Sequence, residues 1–424
     1  MKSEKKIRLS SNHATKKVTT MKVKIEISIR KARLRRFFFR LFSIQVHNIY
    51  FLINLLYLFV VPMNTNMRVP VRPSVEEIEE YKPGKLVKGA IKLSSNENPL
   101  GPSPAAVRAV VEALEAGELN LSIYPWEKNE EALREEIARY IGVDVSKIVI
   151  GAGIDGVMDT IAKIFFEKGD EVIIPIPTFS LYESLVKIAD ATPVYLPRNP
   201  DANYGIPVLD IIAASNDKTR MIFLSSPNNP TGNRITGDDV RTLAESVPNA
   251  MIAVDEAYVE FAKKSLVKVV NDYENVLVLR TFSKAFGLAG LRVGYAVLPE
   301  WLASIYKKVS LPFTVNNVAL TAAVAALRDK EHLRRSVELV KSGRPYLEEN
   351  LQGLFKVYPS EANFVLVDVS PKRSSDVFDA LLKKGITVRD CSSFRGASDS
   401  LIRISVGTQE QNEKVVAALK HFTL

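Results

Sequence analysis

Between residues 147 and 297, seven short apolar runs alternate with segments of helical period, and few architectures accept that pattern. The runs are Lys147–Ile150, Glu171–Ile174, Pro193–Leu196, Met221–Ser225, Met251–Asp255, Val276–Arg280 and Val293–Val297. Each has the length of a strand, and most are apolar at consecutive positions, as strands covered on both faces must be. Helical segments fall between most of them, including Val157–Phe166, Tyr182–Ile188 and Asp238–Val247. The alternation predicts an α/β fold with a large, mostly parallel sheet clad in helices on both sides. After about residue 315 the texture changes. A long helical stretch, residues 316–353, precedes short strands at Phe364–Val369, Thr387–Arg389 and Ile402–Val406, with a helix at Ser375–Lys384. The expected organisation is a large domain over residues 102–315 and a smaller α+β domain over residues 316–424. Residues 67–101, rich in Pro, Asn and Ser, are expected to run as an arm over the surface.

Residues 1–66 are a different kind of sequence. They hold fourteen Lys/Arg and two Glu, a local charge of +12 against +9 for the whole chain, which leaves the body at −3. The mildly acidic body gives no electrostatic reason to expect nucleic acid. Residues 41–66 carry no charged side chain, and Ile49 to Val61 is apolar except for Asn54. A basic stretch followed by an apolar one fits an anchor or targeting segment. The other reading is a start-site artefact, with Met67 as the natural start of a self-contained cytoplasmic enzyme; a membrane partner is expected only on the first reading. The single cysteine, Cys391, excludes an intrachain disulfide, and the histidines His332 and His421 lack ligand spacing, so no metal is expected.

Chemistry-bearing residues cluster at the ends of the apolar runs. Lys284 follows Val276–Arg280 by four residues, with Thr281 and Ser283 before it and Arg292 eight positions later. An amine so placed can form an imine with an aldehyde cofactor, while the hydroxyls and the guanidinium hold a phosphate. Met251–Asp255 is an apolar run ending in a carboxylate, at the sheet edge where α/β ligands bind. Buried there, Asp255 can keep a pyridine nitrogen protonated, or it can simply cap the next helix. Tyr258 can reach a ring oxygen, or pack in the core. Ser226-Pro227-Asn228-Asn229-Pro230-Thr231-Gly232 is a tight turn whose Asn229 amide can donate to a phenolate. Phe179 offers a face for stacking.

Gly151-Ala152-Gly153-Ile154-Asp155-Gly156 fits G-x-G-x-x-G, the dinucleotide fingerprint. That reading also needs an acid at the far end of the next strand, and Pro175-Ile176-Pro177 stands there instead. What survives is general: backbone N–H groups of Gly153, Ile154 and Asp155 at a helix start suit any phosphate.

Taken together, the motifs S-P-N-N-P-T-G, D-E-A-Y and S-K-A-F-G-L-A-G-L-R resemble the aspartate-aminotransferase-like group of pyridoxal-phosphate enzymes, over most of residues 67–424. Within that group the sequence is most similar to the histidinol-phosphate aminotransferase family. The further segments that carry this likeness are Tyr81-Lys82-Pro83-Gly84, the run from Leu93 to Pro104, Tyr124-Pro125, Ala362-Asn363-Phe364 and Arg403 to Thr408. The resemblance implies a fold-type I transferase with pyridoxal 5'-phosphate as cofactor. It implies that Lys284 attaches the cofactor, Asp255 pairs with the pyridine nitrogen, Asn229 and Tyr258 hold the ring oxygen, and Phe179 stacks. Thr281, Ser283, Arg292 and the Gly153–Asp155 turn would hold the phosphate. Tyr124 would reach the site of the partner subunit in a homodimer. Arg403 would grip the donor carboxylate, and Arg389 and Tyr81 a distal phosphate or second carboxylate, with Asn96 also on the substrate. One departure is visible: the family's phosphate turn has a small residue followed by Asp-Glu, where this chain has Ile154-Asp155-Gly156.

The reaction so implied is a ping-pong transfer between an amino donor and an oxo-acid acceptor: L-histidinol phosphate and 2-oxoglutarate give imidazole-acetol phosphate and L-glutamate. An aromatic-amino-acid aminotransferase is the alternative. A lyase or decarboxylase, a non-catalytic binding domain and a dehydrogenase rank lower. An arginine takes phosphate and carboxylate about equally well, so Arg389 and Arg403 leave the acceptor open.

Overall fold

The computed structural model describes residues 71–80 and 87–422, together with Arg30, Lys31 and Arg33, which are helical. The chain divides between Pro70 and Val71 into two compact units, and the architecture below belongs to the second. The apolar stretch 41–66 and Tyr81 lie outside the described residues. No helix among the described residues is long and apolar enough to cross a membrane.

The apolar runs form strands β2 (Ile148–Gly151), β3 (Glu171–Ile176), β4 (Thr192–Pro197), β5 (Thr219–Ser225), β6 (Met251–Asp255), β7 (Val276–Thr281) and β8 (Gly294–Val297). They make one seven-stranded sheet in the order β2-β8-β7-β6-β5-β3-β4. Every pairing is parallel except those of β8, which runs antiparallel to both β2 and β7. Alternation explains why the strands are apolar throughout. Met221, Phe223, Met251, Ala253, Leu277 and Leu279 pack into one core. Ile222, Leu224, Ile252, Val254, Val276 and Val278 pack into the other, on the opposite face.

Helices α1 (Pro73–Glu76), α2 (Pro104–Glu115), α3 (Glu127–Ile141), α4 (Gly153–Phe165), α5 (Leu181–Ile188), α6 (Val208–Ala214) and α7 (Gly237–Ser246) lead up to or connect these strands, and α8 (Glu300–Val309) follows the last of them. A Thr236–Asp239 capping box starts α7. The long helical stretch after residue 315 is two helices, α9 (Asn317–Arg328) and α10 (Lys330–Leu351). The break falls at Asp329, whose carboxylate accepts from the His332 amide (3.0 Å) and from Ser103 Oγ (2.6 Å), starting a new helix rather than continuing the old one.

The C-terminal part holds a four-stranded antiparallel sheet, β12-β13-β10-β9, from β9 (Lys356–Tyr358), β10 (Phe364–Asp368), β12 (Arg389–Asp390) and β13 (Leu401–Ser405). Helices α11 (Ser374–Lys383) and α12 (Gln409–Lys420) accompany it. Two expectations need correction here. Thr387–Arg389 is not one strand: β11 (Ile386–Thr387) pairs with β1 (Ile91–Lys92), whereas β12 pairs with β13, the chain changing partner at buried Val388. Nor does the arm stay on the surface. β1 lies parallel to β11, and the following Leu93, Ser94 and Asn96 are buried. The Leu93 amide donates to Thr387 O and its carbonyl accepts from Ser405 N, so the arm's backbone is satisfied inside the C-terminal part rather than by water.

Candidate active site

The C-terminal edges of β3, β5, β6 and β7 open onto one cavity of about 890 Å³. Strand register sets Ser225 beside Asp255, and Asp255 beside Leu279. The structure gathers Asn96, Ile154, Asp155, Phe179, Asn229, Asp255, Tyr258, Thr281, Ser283, Lys284, Arg292, Arg389 and Arg403 along its wall. Tyr124 is not brought there within its own chain. It stands on the surface, 72% exposed, stacked on Phe313 at 4.5 Å.

Lys284 sits just past the end of β7 and donates to Ser95 O at 3.1 Å, with its ammonium 5.7 Å from the Tyr258 ring centroid. Burial, and then the Arg403 guanidinium, pull its pKa down from 10.5 to about 8. Burial pushes Asp255 the other way, to about 6, against the restraint of hydrogen bonds from the Tyr182 hydroxyl (2.6 Å) and the Ala257 amide (2.9 Å). Tyr182 was not anticipated as a site residue. It is fully buried on α5, stacked on Phe223 at 4.5 Å and edge-on to Phe179 at 5.8 Å, with its hydroxyl between Asp255 and Ser225. Its position three residues after Phe179, one helical turn on, is the only hint that the sequence offers.

Asn96 adopts φ +55 and ties the arm to the site. Its side-chain amide donates to Tyr258 Oη (3.0 Å), its Oδ1 accepts from Ser405 Oγ (2.8 Å), and its carbonyl accepts from Asn363 Nδ2 (3.0 Å). Its contacts thus fix Tyr258 against the C-terminal sheet. Arg403 on β13 donates to Asn229 Oδ1 and to Ser94 O (2.8 Å), and lies 5.1 Å from the Phe364 ring centroid. Asn229 accepts there through its carbonyl oxygen, which leaves Nδ2 as its outward donor. Ser94 Oγ, buried in the cavity wall, finds no hydrogen-bond partner among the described residues.

At the start of α4, Gly153 has φ +74, and a Cβ there would stand 2.8 Å from Arg292 Nη2. Gly294 on β8 is equally constrained, since its Cβ would come within 2.5 Å of the Ile154 amide nitrogen. These close approaches leave the backbone N–H groups of the turn open beside a guanidinium, a cradle for an anion. Arg292 meanwhile pairs with Asp155 (2.6 Å), both side chains about half exposed. Thr281 Oγ1 accepts from the Ser283 amide (3.1 Å), which orients both hydroxyls beside the turn. Below the sheet edge, Glu256 and Arg280 form a buried pair (2.8 Å), with Ser265 bonded to both.

A buried amine of lowered pKa, a buried carboxylate, an anion cradle and the arginines Arg389 and Arg403 around one cavity suit an enzyme that works on amino groups. Residues 88–419 match the family described as aminotransferase class I and II. A histidinol-phosphate aminotransferase of Methanosarcina mazei is 49% identical over 84% of this chain and 98% of that protein. One of Methanocaldococcus jannaschii is 37% identical over 82% of this chain and 96% of its own length. Among solved structures, the histidinol-phosphate aminotransferase of Sinorhizobium meliloti in complex with pyridoxal-5'-phosphate is similar at 26% identity. Its TM-score is 0.75, covering 85% of this chain and 99% of that one. The chain belongs to the class I and II aminotransferases, and within them to the histidinol-phosphate aminotransferase family.

Proposed function

We propose that this chain is a pyridoxal-phosphate-dependent aminotransferase that moves the amino group of L-histidinol phosphate to 2-oxoglutarate. The observation that carries the reading is the placement of the Lys284 amine, at a pKa of about 8, in one cavity with buried Asp255 and the Arg292 cradle. The residues present fit the cofactor. Gly153 leaves space that a Cβ would fill, and the Ser94 hydroxyl is buried with a free donor facing the cavity. When bound, pyridoxal phosphate supplies an aldehyde that links to amines and a ring that accepts the electron pair released at the substrate Cα.

The chain's own groups do the rest. Arg292, Thr281, Ser283 and the Gly153–Asp155 amides hold the phosphate. Asp255 would pair with the ring nitrogen, Asn229 Nδ2 and Tyr258 Oη would hold the ring oxygen, and Phe179 would stack on the ring. Lys284 would hold the cofactor through its amine and, when free, would serve as the general base for the substrate Cα proton. Arg403 would take the carboxylate of glutamate, and Arg389 would bind the distal end of the substrate, a role that the family resemblance also gives to Tyr81. We place the enzyme in the cytoplasm as a homodimer in which Tyr124 reaches the partner's cofactor phosphate. Half-reactions followed by cofactor absorbance test the reading. Histidinol phosphate and glutamate are expected to discharge the absorbance faster than phenylalanine does, and Lys284→Ala is expected to abolish it. Phenylalanine reacting faster than histidinol phosphate would move the assignment to an aromatic aminotransferase.

A further inference from the structure

The loop between β12 and β13 carries a fourth arginine into the cavity, and the reaction as described gives it no task. Arg395 lines the same cavity as Lys284 and Arg403. Its Nε and Nη2 donate to the two carboxylate oxygens of Glu183 on α5, at 2.9 and 2.8 Å. Its guanidinium carbon lies 4.6 Å from the Tyr195 ring centroid, which fixes the plane of the fork. Nη1 has no part in the fork to Glu183.

Several cations gather at this corner. Glu183 also takes Lys187 at 2.7 Å, so one carboxylate serves two cations. Arg389 adds a third positive charge close by in the chain fold: it donates to Ser393 Oγ at 3.2 Å and lies 5.3 Å from the Phe394 ring centroid, the two residues that precede Arg395. The exposed carboxylates of Glu77, Glu79 and Glu80, on the segment that follows α1, line the same cavity, and Glu79 adds to the negative field on Arg395. The loop is also held in place. Gly396 has φ +79, and a Cβ there would stand 2.9 Å from Ile176 Cδ1, so only glycine lets the loop rest on the end of β3.

We infer that Arg395 is a specificity residue that, with Arg389 and the Ser393 hydroxyl, binds the distal phosphate of the substrate. The inference rests on the proposed function and deepens it. Glu183 and Tyr195 orient the fork, and the guanidinium groups of Arg395 and Arg389 together meet a dianion that an uncharged side chain lacks. Charge-assisted hydrogen bonds of this kind correspond to roughly tenfold to a hundredfold in affinity.

The test compares L-histidinol phosphate with L-histidinol, which differ only in the phosphate, on the holoenzyme and its variants. In Arg395→Gln, the ratio of kcat/KM for phosphorylated over unphosphorylated substrate is expected to fall about tenfold or more, mainly through KM. Arg395→Lys is expected to recover part of it. Glu183→Gln keeps the guanidinium and is expected to keep most of the ratio. An unchanged ratio in Arg395→Gln overturns the inference. So does an equal loss in Glu183→Gln and Arg395→Gln, which would make the pair a structural tie only. Should the wild-type enzyme refuse histidinol phosphate, the proposed function falls by itself. Arg395 is then judged by inhibition of the glutamate half-reaction by inorganic phosphate, which Arg395→Gln is expected to weaken about tenfold and which an indifferent variant would refute.

Discussion

The amine of Lys284 offers the most direct quantitative check on the site. Its pKa lies at about 8 rather than 10.5, first because burial disfavours the ammonium and second because Arg403 faces it. Only the unprotonated amine attacks an aldehyde. At pH 7 an amine of pKa 8 is about one-tenth unprotonated, against about one part in three thousand for an ordinary lysine, a ratio of roughly 300. The reactive form is therefore present above pH 8 and lost as pH falls through that value. Cofactor-free protein mixed with pyridoxal phosphate in a stopped-flow spectrometer should capture it about fivefold faster at pH 8 than at pH 7, levelling off above about pH 9. Rates are divided by those of Nα-acetyl-lysine corrected to its free-amine fraction, which removes the titrations of the cofactor itself. Arg403→Met removes the second cause and should move the inflection upward. An inflection at pH 10 or above in the wild-type protein would refute the argument that the fold prepares this amine.

Tyr182→Phe removes the 2.6 Å donor to Asp255 and should raise its pKa above the present value of about 6. A hydrogen bond to a charged group is worth about 1.5–3 kcal/mol, roughly one to two pH units. Because Asp255 works ionised and activity is lost as pH falls through its pKa, the acid limb of the glutamate half-reaction should move up by that amount; a fixed limb would count against the pairing. Gly153→Ala forces φ +74 on a residue with a Cβ 2.8 Å from Arg292 Nη2. Dialysis should then show a Kd for pyridoxal phosphate about tenfold weaker or more, from ~1–2 kcal/mol of strain, with the circular dichroism spectrum unchanged. Arg280→Met strands Glu256 in the interior, where breaking a buried pair costs about 3–5 kcal/mol. A clear fall in Tm is expected, partly recovered by adding Glu256→Gln.

The parts of this molecule that the sequence made legible are those whose physics is local. Met251–Asp255 was readable to the residue, since a wholly apolar run ending in a carboxylate has one natural place in such a sheet. Lys284, Asn229 and Arg292 could be singled out because their turns sit just past strand ends. What escaped depends on packing between distant segments. Nothing near Tyr182 distinguishes it from a core tyrosine on an amphipathic helix, and only the sheet carries its hydroxyl to Asp255. The arm from Pro99 back to Ile91 is rich in turn formers, so it passed for surface; its burial follows from a pairing with Ile386–Thr387 that no local pattern encodes. No local pattern marks Arg395 beside Gly396, because the residues that aim it, Glu183 and Tyr195, are some two hundred positions away.

The pairing of Ile91 with Ile386 has a consequence for how the enzyme comes into being. The peptide that carries Ser95 and Asn96 past Lys284 gains its strand partner and the Ser405 clamp only when nearly the whole polypeptide has left the ribosome. During synthesis the parallel sheet can form first, while the wall that Arg389 and Arg403 add to the cavity is still missing. A chain cut short before Ser405 would therefore own the lysine, the aspartate and the phosphate cradle and still be inert.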